Sequence, residues 1–455
     1  LPFTYNVTYS QQNTYKQNKG EFIMQHFQTS FFYDLQELVR KAPLMRKYYY
    51  IFKSLNLSAL QDKNDSAGRT GYSRHAILRA FIIKHLEQIK SIPRLIEYLN
   101  AIPPLAEMCG FDLDNLPDET QFYRFLKNTK NSTLKAIHKA ANDVLIENNI
   151  ISLDEFILDS KPVQAATKEN NFKNPNRNTT NKAKRPKRNP GATLCYYSCQ
   201  VINGKKQNMI FFWGFRTHAV VTKEGICLVE KTLSNNITDS DAAFSLIKGL
   251  KRRYRFKKDA IFIADKAYDV KELYTFIVEQ MKSTAYIPIN PRNTKDDKTF
   301  GPNGCPLCDA GIEMKSVGRW TEGNRERLKF RCPIKAGKKF AAKHGDFCPV
   351  NNPKFNTGKC YGCTKYIDVT DDARSRVPRD SKKFKDTFRD RQTVEQYFAR
   401  LGDREAEQTT HYGFTTISNQ MTIAHLTASL IAVAATIHLK QPENIRCYRT
   451  FAKAG

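Results

Sequence analysis

Hydrophobic and polar positions follow two different periods along this chain, and the change comes near residue 151. Between 21 and 150 apolar residues recur at helical spacing, in Ala76-Ile77-Leu78-Arg79-Ala80-Phe81-Ile82-Ile83-Lys84-His85-Leu86 and again from Ile92 to Leu99. Pro93 suits the first turn of the second helix, and Pro103-Pro104 breaks it. Leu116 to Phe125 reads as a turn leading into another helix. Beyond 151 the runs become short and β-like: Glu155–Leu158, Leu194–Val201, Gln207–Trp213, Thr217–Val221 and Ile226–Leu233. A helix over Ser240–Lys251, a strand over Ala260–Ala264, a helix over Val270–Gln280 and a strand over Ala285–Ile289 follow. This order predicts an α/β fold, a mixed sheet with flanking helices, preceded by an all-helical domain.

The same pattern divides the chain into a polar tail (1–20), a helical domain (21–150), the first part of the sheet domain (151–300), a cysteine-rich insert (301–365), the second part (366–440) and a tail (441–455). Several short helices with basic faces in 21–150 fit a helix-turn-helix-like DNA reader, as they fit any helical bundle. The longest apolar stretch, Met421 to Leu439, is interrupted by His425, Thr427, Ser429, Thr436 and His438. It has the length to reach across a bilayer, but a buried helix of a large domain reads the same way, and no membrane is expected. Residues 1–20 lack the hydrophobic region of a secretory signal, so a cytoplasmic protein is expected.

Charge narrows the partners. The chain has 73 Lys+Arg against 45 Asp+Glu, a formal net charge of +28. Such an excess draws in polyanions, nucleic acid above all, with an anionic membrane surface as the competitor. The polar loop 161–190 carries nine basic residues against one acidic. It reads either as a solvated, disordered loop or as an arm that orders on phosphates. Lys182, Lys184, Arg185, Lys187 and Arg188 are its candidate DNA contacts, joined by Arg252 and Arg253 of the basic run 251–258, Arg389 of the run 382–391, and Arg400.

Six of the eleven cysteines lie within 305–363. Cys305 and Cys308 form one CxxC knuckle, Cys360 and Cys363 another, and Cys332, Cys348 and His344 lie between them. Tight CxxC turns present two soft ligands to a tetrahedral ion, so a structural zinc ion in a small zinc-ribbon-like insert is expected. Four of the six cysteines would bind it. The two knuckles make one quartet, and Cys332 and Cys348 either replace one knuckle or stay as reduced thiols. The insert would present Arg325, Arg327, Lys329 and Arg331 outward.

Three acids carry the candidate chemistry. Asp159 ends the apolar run Phe156-Ile157-Leu158, Asp265 ends Ala260 to Ala264, and Glu395 sits in a helix-like stretch from Phe388 to Phe398. Val394, Phe398 and Leu401 form a stripe that would fix this helix on the sheet. Converging carboxylates hold hard divalent cations, and two such ions about 3.5–4 Å apart serve phosphodiester chemistry. Blander readings stand beside this one. An Asp after a strand is commonly a turn residue or cap, and Arg391 with Glu395 is also an ordinary i,i+4 ion pair.

The pieces Leu158-Asp159-Ser160-Lys161-Pro162-Val163, Trp213-Gly214-Phe215-Arg216-Thr217-His218, Ala264-Asp265-Lys266-Ala267-Tyr268-Asp269 and the Glu395 helix occur in a specific order. In that order the chain resembles a bacterial insertion-sequence transposase of the DDE type, with a ribonuclease-H-like core. Of that family's Tyr-Arg-Glu-Lys motif, Arg391 and Glu395 match, while Phe388 stands at the tyrosine position and Gly402 at the lysine position. Arg400 or Arg404 is placed to cover for the lysine. Residues 72–126 resemble the family's N-terminal helical domain, and some relatives carry a Cys-rich insert. The resemblance implies Asp159, Asp265 and Glu395 holding two Mg2+ or Mn2+ ions, Arg391 neutralising a phosphate, and double-stranded DNA as the partner. A homodimer on DNA and a place in the bacterial nucleoid follow from the same likeness. His218 and Tyr268 are secondary candidates with packing roles as alternatives. A plain nuclease of this fold, or a DNA-binding relative without catalysis, would share these features. A zinc-ribbon transcription factor would account for the cysteines but not for the β/α region.

Overall fold

The computed structural model describes residues 37–447 except 38, 40, 63–70, 172, 203–204, 291–299, 302, 323–324, 337–344, 357–361, 369–376 and 403–405. The first part of the described chain is helical and includes α1 Pro43–Lys53, α2 Arg74–Leu86, α3 Ile92–Ala101, α4 Pro103–Cys109, α5 Glu119–Asn128 and α6 Asn131–Glu147. Local chemistry sets their ends. Ser73, Ser91 and Asp118 accept backbone N–H groups at the starts of α2, α3 and α5, which satisfies donors a helix start leaves unpaired. Pro103-Pro104 ends α3 as expected and also opens α4, where a missing N–H costs nothing.

The sheet comprises β1 Glu155–Gln164, β2 Thr193–Ile202, β3 Lys205–Thr222, β4 Cys227–Ser234, β5 Ile261–Ile263 and β6 Thr284–Tyr286. Its path is β2-β3-β1-β5-β6, with β4 also on β3. The β1–β3 and β3–β4 pairs are antiparallel, whereas β1–β5 and β5–β6 are parallel. The sequence β4-β3-β1-β5-β6 is the ribonuclease-H-like order, and β2 extends it along the first half of β3. Helix α7 (Asp239–Arg253) connects β4 to β5, and α8 (Lys271–Thr275), continued by a π-turn over Phe276–Gln280, connects β5 to β6.

Two expected strands, Gln207–Trp213 and Thr217–Val221, are one. Gly214 joins them: a Cβ there would meet the Val163 carbonyl oxygen at 2.2 Å, so only glycine lets β1 and β3 stay paired through this point. The second part of the domain supplies α9 (Lys382–Phe388), α10 (Gln392–Leu401) and α11 (Phe414–Val433). Phe414–His438 is long and apolar enough to cross a membrane, but 83% of its most apolar window is buried inside the protein. It packs on α6, β4 and α5. Its polar groups meet partners in the fold: Asn419 donates to the Leu126 and Thr129 carbonyls, and Thr422 donates to Glu230. One apolar cluster therefore runs from Tyr48 and Phe81 through Phe156 and Phe262 to Leu430, and the helical region shares its core with the sheet.

The insert forms its own three-stranded sheet, β7 (Lys315–Glu322), β8 (Arg325–Arg331) and β9 (Thr364–Asp368), in the order β7-β8-β9. Leu328 and Phe330 of β8 are buried with Met314 and Cys305. Period-2 alternation puts Arg327 and Lys329 on the other face. There the Lys329 ammonium lies over the rings of Trp320 and Tyr366, both exposed.

Candidate active site

The parallel β1–β5 ladder pairs Ile157 with Ile263. Two residues further along each chain stand Asp159 and Asp265, beyond the same rung and toward the face Ile157 and Ile263 share. Neighbouring strands lie about 4.8 Å apart, so the register alone makes these carboxylates neighbours. Asp159 is not the last residue of its strand: β1 continues to Gln164, because Ser160 to Gln164 keep their pairing with β3. Asp265 does leave its strand, and its side chain caps the short turn Lys266–Tyr268 by accepting the Ala267 N–H at 2.7 Å.

The shared face packs on α10. Val394, Tyr397, Phe398 and Leu401, spaced i, i+3, i+4, i+7, are buried in one cluster with Ile157, Ile263 and Tyr286. That packing brings the first turn of α10, with Glu395, to the two aspartates. Arg391, just before the helix, stands between all three acids. Its Nη2 lies 3.3 Å from Asp159 Oδ2 and 3.9 Å from Asp265 Oδ2, and its Nη1 bonds Glu395 Oε1. The i,i+4 pair and the three-acid site are thus the same arrangement.

Crowded carboxylates repel, and the guanidinium supplies the positive charge that lets them share a site. Burial pushes the Asp159 carboxyl up to about 6, with Arg391 and the Ser160 N–H pulling it back and Asp265 and Asp239 pushing it further. Three carboxylates are the hard oxygen donors that Mg2+ or Mn2+ takes. Among the described residues no group of three His, Cys, Asp or Glu side chains is arranged to hold a metal ion as the chain stands. At the acids, the Arg391 fork lies where a cation would be shared.

The opposite face carries residues that spacing alone did not single out. Ser160 pairs with His218 and donates to Asp239 Oδ1 at 2.8 Å, and Arg216 lies 3.4 Å from Asp239 Oδ2. Strand parity puts Ser160, Arg216 and His218 behind the sheet from the acids. His218 is fully buried there, 3.6 Å from Asp239. Burial lowers its imidazole to about 4, against the pull of Asp239. It is a neutral packing residue behind the site. Tyr268 is also buried, and its hydroxyl makes no hydrogen bond. Burial, then Asp239, Asp159 and Asp265, raises this phenol well above its usual range, so it stays protonated.

Lys161 is a further residue of the site. Its Nζ donates to the Phe398 carbonyl at 2.8 Å and pairs with Glu407 at 2.5 Å, joining the Asp159 strand to the Glu395 helix. A Cβ on Gly402 would lie 2.7 Å from that Nζ, so a lysine from β1 fills the space beside the position where the motif lacks one. Arg404 lies outside the described residues. Arg400 is half-buried on α10.

Of the candidate DNA contacts, Lys182, Lys184, Arg185, Lys187 and Arg188 are all exposed. Their loop is not a loose coil where described: Asn170 bonds Ala165 and Trp213, and Asn189 bonds Ala166 and Gly413. Arg389 is exposed and pairs with Asp386 at 3.3 Å. Arg252 and Arg253 differ. They end the 15-residue helix α7, about 20 Å from Asp239 at its start, and Arg253 is half-buried rather than presented outward.

In the insert, Cys308, Cys332, Cys348 and Cys363 line one cavity. Cys305 does not line it but is buried next to it among Met314, Leu328 and Phe330, a cluster against which Cys308 and Cys363 also pack. Cys360 and His344 lie outside the described residues.

The model of the Transposase DDE domain matches residues 152–431, more than half of the chain and a span that holds Asp159, Asp265 and Glu395. The chain belongs to the DDE transposase family. Its members are enzymes of DNA transposition that use divalent metal ions. Residues 33–128 match a second model, the Transposase domain (DUF772), a span that contains all of α1 to α5. No curated protein matches the chain. Among solved structures it is similar to the piggyBac transposase synaptic complex with hairpin DNA, seen by cryo-EM. There the identity is 10% and the TM-score 0.37, over 90% of this chain and 78% of that one.

Proposed function

We propose that this DDE transposase binds the terminal inverted repeats of a bacterial insertion sequence and carries out metal-dependent cleavage and strand transfer there. What carries the reading is the convergence of Asp159, Asp265 and Glu395, from β1, the β5 exit and α10, on one arginine. On this reading the three carboxylates hold two Mg2+ or Mn2+ ions. Such ions, when bound, activate the attacking water or 3′-hydroxyl and stabilise the leaving oxygen. Arg391 balances the acids until then and afterwards turns to a phosphate oxygen near the scissile bond. Lys161 keeps the strand of Asp159 and the helix of Glu395 in register.

The exposed cations of 182–188, with Arg389 beside the site, contact the DNA backbone without regard to sequence. Helix α5 turns Arg124 and Lys127 outward and reads DNA together with its neighbours. Two ends must be held together for transposition, so the working form is a homodimer on DNA. The protein acts in the cytoplasm, at the nucleoid. The cysteine-rich insert is a structural zinc subdomain.

The test is cleavage of an element-end duplex with Mg2+ by wild type and by Asp159→Ala, Asp265→Ala and Glu395→Ala. Each variant should lose cutting and keep DNA binding; equal cutting by any one removes that residue from the site. Joining of pre-cut ends to a target separates a transposase from a plain nuclease of the same fold.

A further inference from the structure

The insert's two CxxC knuckles invite pairing with each other, Cys305 and Cys308 with Cys360 and Cys363. Among the described residues a different set of cysteines comes together. Cys308, Cys332, Cys348 and Cys363 line a single cavity of about 10 Å³, the room of one water-sized sphere. Its other walls include Ile312, Pro333, Ile334, Pro349 and Val350. None of the four cysteines is in a disulfide.

The backbone holds these four positions together. The Cys332 N–H donates to the Cys363 carbonyl at 2.7 Å, which ties the end of β8 to the residue before β9. Gly362 has φ +63° and lies against Cys332: a Cβ there would approach the Cys332 Cβ to 2.6 Å. Cys308 closes a tight turn, with its N–H on the Ile312 carbonyl and its own carbonyl taking the Gly311 N–H. The Asn352 N–H donates to Cys348 Sγ at 3.4 Å. A backbone amide aimed at sulfur is the outer support that a metal-bound thiolate uses.

The four thiols share one small, mostly apolar space, although as the chain stands they are not drawn together at metal-binding geometry. We infer that Cys308, Cys332, Cys348 and Cys363 are the ligands of one Zn2+, a tetrathiolate drawing one sulfur from each of four segments. This rests on the zinc reading of the insert and names its ligands. Zinc–sulfur bonds are about 2.3 Å long, so the sulfurs close in on the cavity as the ion binds and their protons leave. Cys305 lies in the apolar cluster under β8, and four sulfurs complete a tetrahedron, so the assignment leaves no ligand position for Cys360.

The main experiment uses the wild-type protein, and one variant supplements it. Zinc is first measured in the purified protein. The protein is then alkylated with iodoacetamide before and after treatment with a strong chelator, and each cysteine is scored by mass spectrometry. Near-stoichiometric zinc, with Cys308, Cys332, Cys348 and Cys363 blocked before chelation and modified after it, supports the assignment. Cys360 and the exposed Cys447 should be modified in both states. Chelator-dependent protection of Cys360, or modification of any of the four before chelation, overturns the ligand set while leaving a zinc insert in place. Absence of zinc overturns the zinc reading itself. The Cys360→Ser variant should keep the wild-type zinc content; its loss of zinc would also overturn the assignment. A brown, iron-containing protein with no zinc would replace the ion and sink the proposal.

Discussion

Replacing Asp159 by Asn should make the metal-free protein more stable while ending its chemistry. Asn mimics the neutral, protonated carboxyl, and burial raises that carboxyl from 3.8 to about 6 in the fold. The side chain is only 17% exposed, so solvent screening removes little of the effect. A shift of about 2 units at about 1.36 kcal/mol each is about 3 kcal/mol. The sign follows from the raised value: the folded protein binds the proton more tightly than the unfolded chain. Below the unfolded value both states are protonated and Asp159 costs nothing. The cost grows between about 4 and 6 and is full above 6.

With 455 residues and about 2 cal/mol/K of unfolding entropy per residue, 1 kcal/mol moves a melting temperature by about 1 °C. Asp159→Asn should therefore melt about 3 °C above wild type at pH 8 in chelator, and within a few tenths of a degree at pH 4. Mg2+ should raise the wild-type melting temperature and leave the variant nearly unmoved. Equal melting at pH 8, or the same gain at both pH values, would refute the claim that a buried charge is held there at a cost.

Other perturbations test other parts. Arg391→Ala removes the cation the three acids share, so the metal-free protein should melt lower and gain more from Mg2+ than wild type does, by thermal shift with and without the ion. Changing Lys182, Lys184, Arg185, Lys187 and Arg188 together to Gln should flatten the log–log dependence of DNA affinity on salt, by about 0.9 for each phosphate no longer neutralised. Changing Arg252 and Arg253 should alter that slope far less, since they sit at the far end of α7. Gly214→Ala forces a Cβ onto the Val163 carbonyl and should cost at least about 1–3 kcal/mol, read by chemical denaturation. Lys161→Met should raise the Mg2+ concentration needed for half-maximal cleavage without changing DNA affinity, and Lys161→Arg should recover part of it. A wild-type metal requirement in the Met variant would make the lysine merely a surface pair.

The central strands were legible because β1 and β5 are covered on both faces by the two apolar clusters, which leaves clean runs in the sequence. Asp159 and Asp265 were legible as exits from such runs, although β1 proved longer. Its outer half, Ser160 to Gln164, is polar and lacks an apolar run, and cross-strand pairing with β3 rather than composition holds it extended. Gly214 reads as a break between strands, and only the closeness of Val163 shows it to be what keeps one long strand paired. The fork of Arg391 across three acids, the lysine beside Gly402, and Asp239 behind Ser160 all depend on strand register and helix packing. No local spacing carries them. The cysteines make the same point: CxxC spacing marks a ligand-bearing region, but which sulfurs share a cavity is decided by how β8 and β9 bring distant turns together.

The most direct test of the central claim is anomalous scattering from crystals of the protein with an element-end DNA and Mn2+. Two manganese peaks bounded by Asp159, Asp265 and Glu395 are expected, with the Arg391 guanidinium moved off the acids toward a phosphate. Manganese bound elsewhere, with Arg391 still bridging all three carboxylates in a complex that cuts DNA, would contradict the claim.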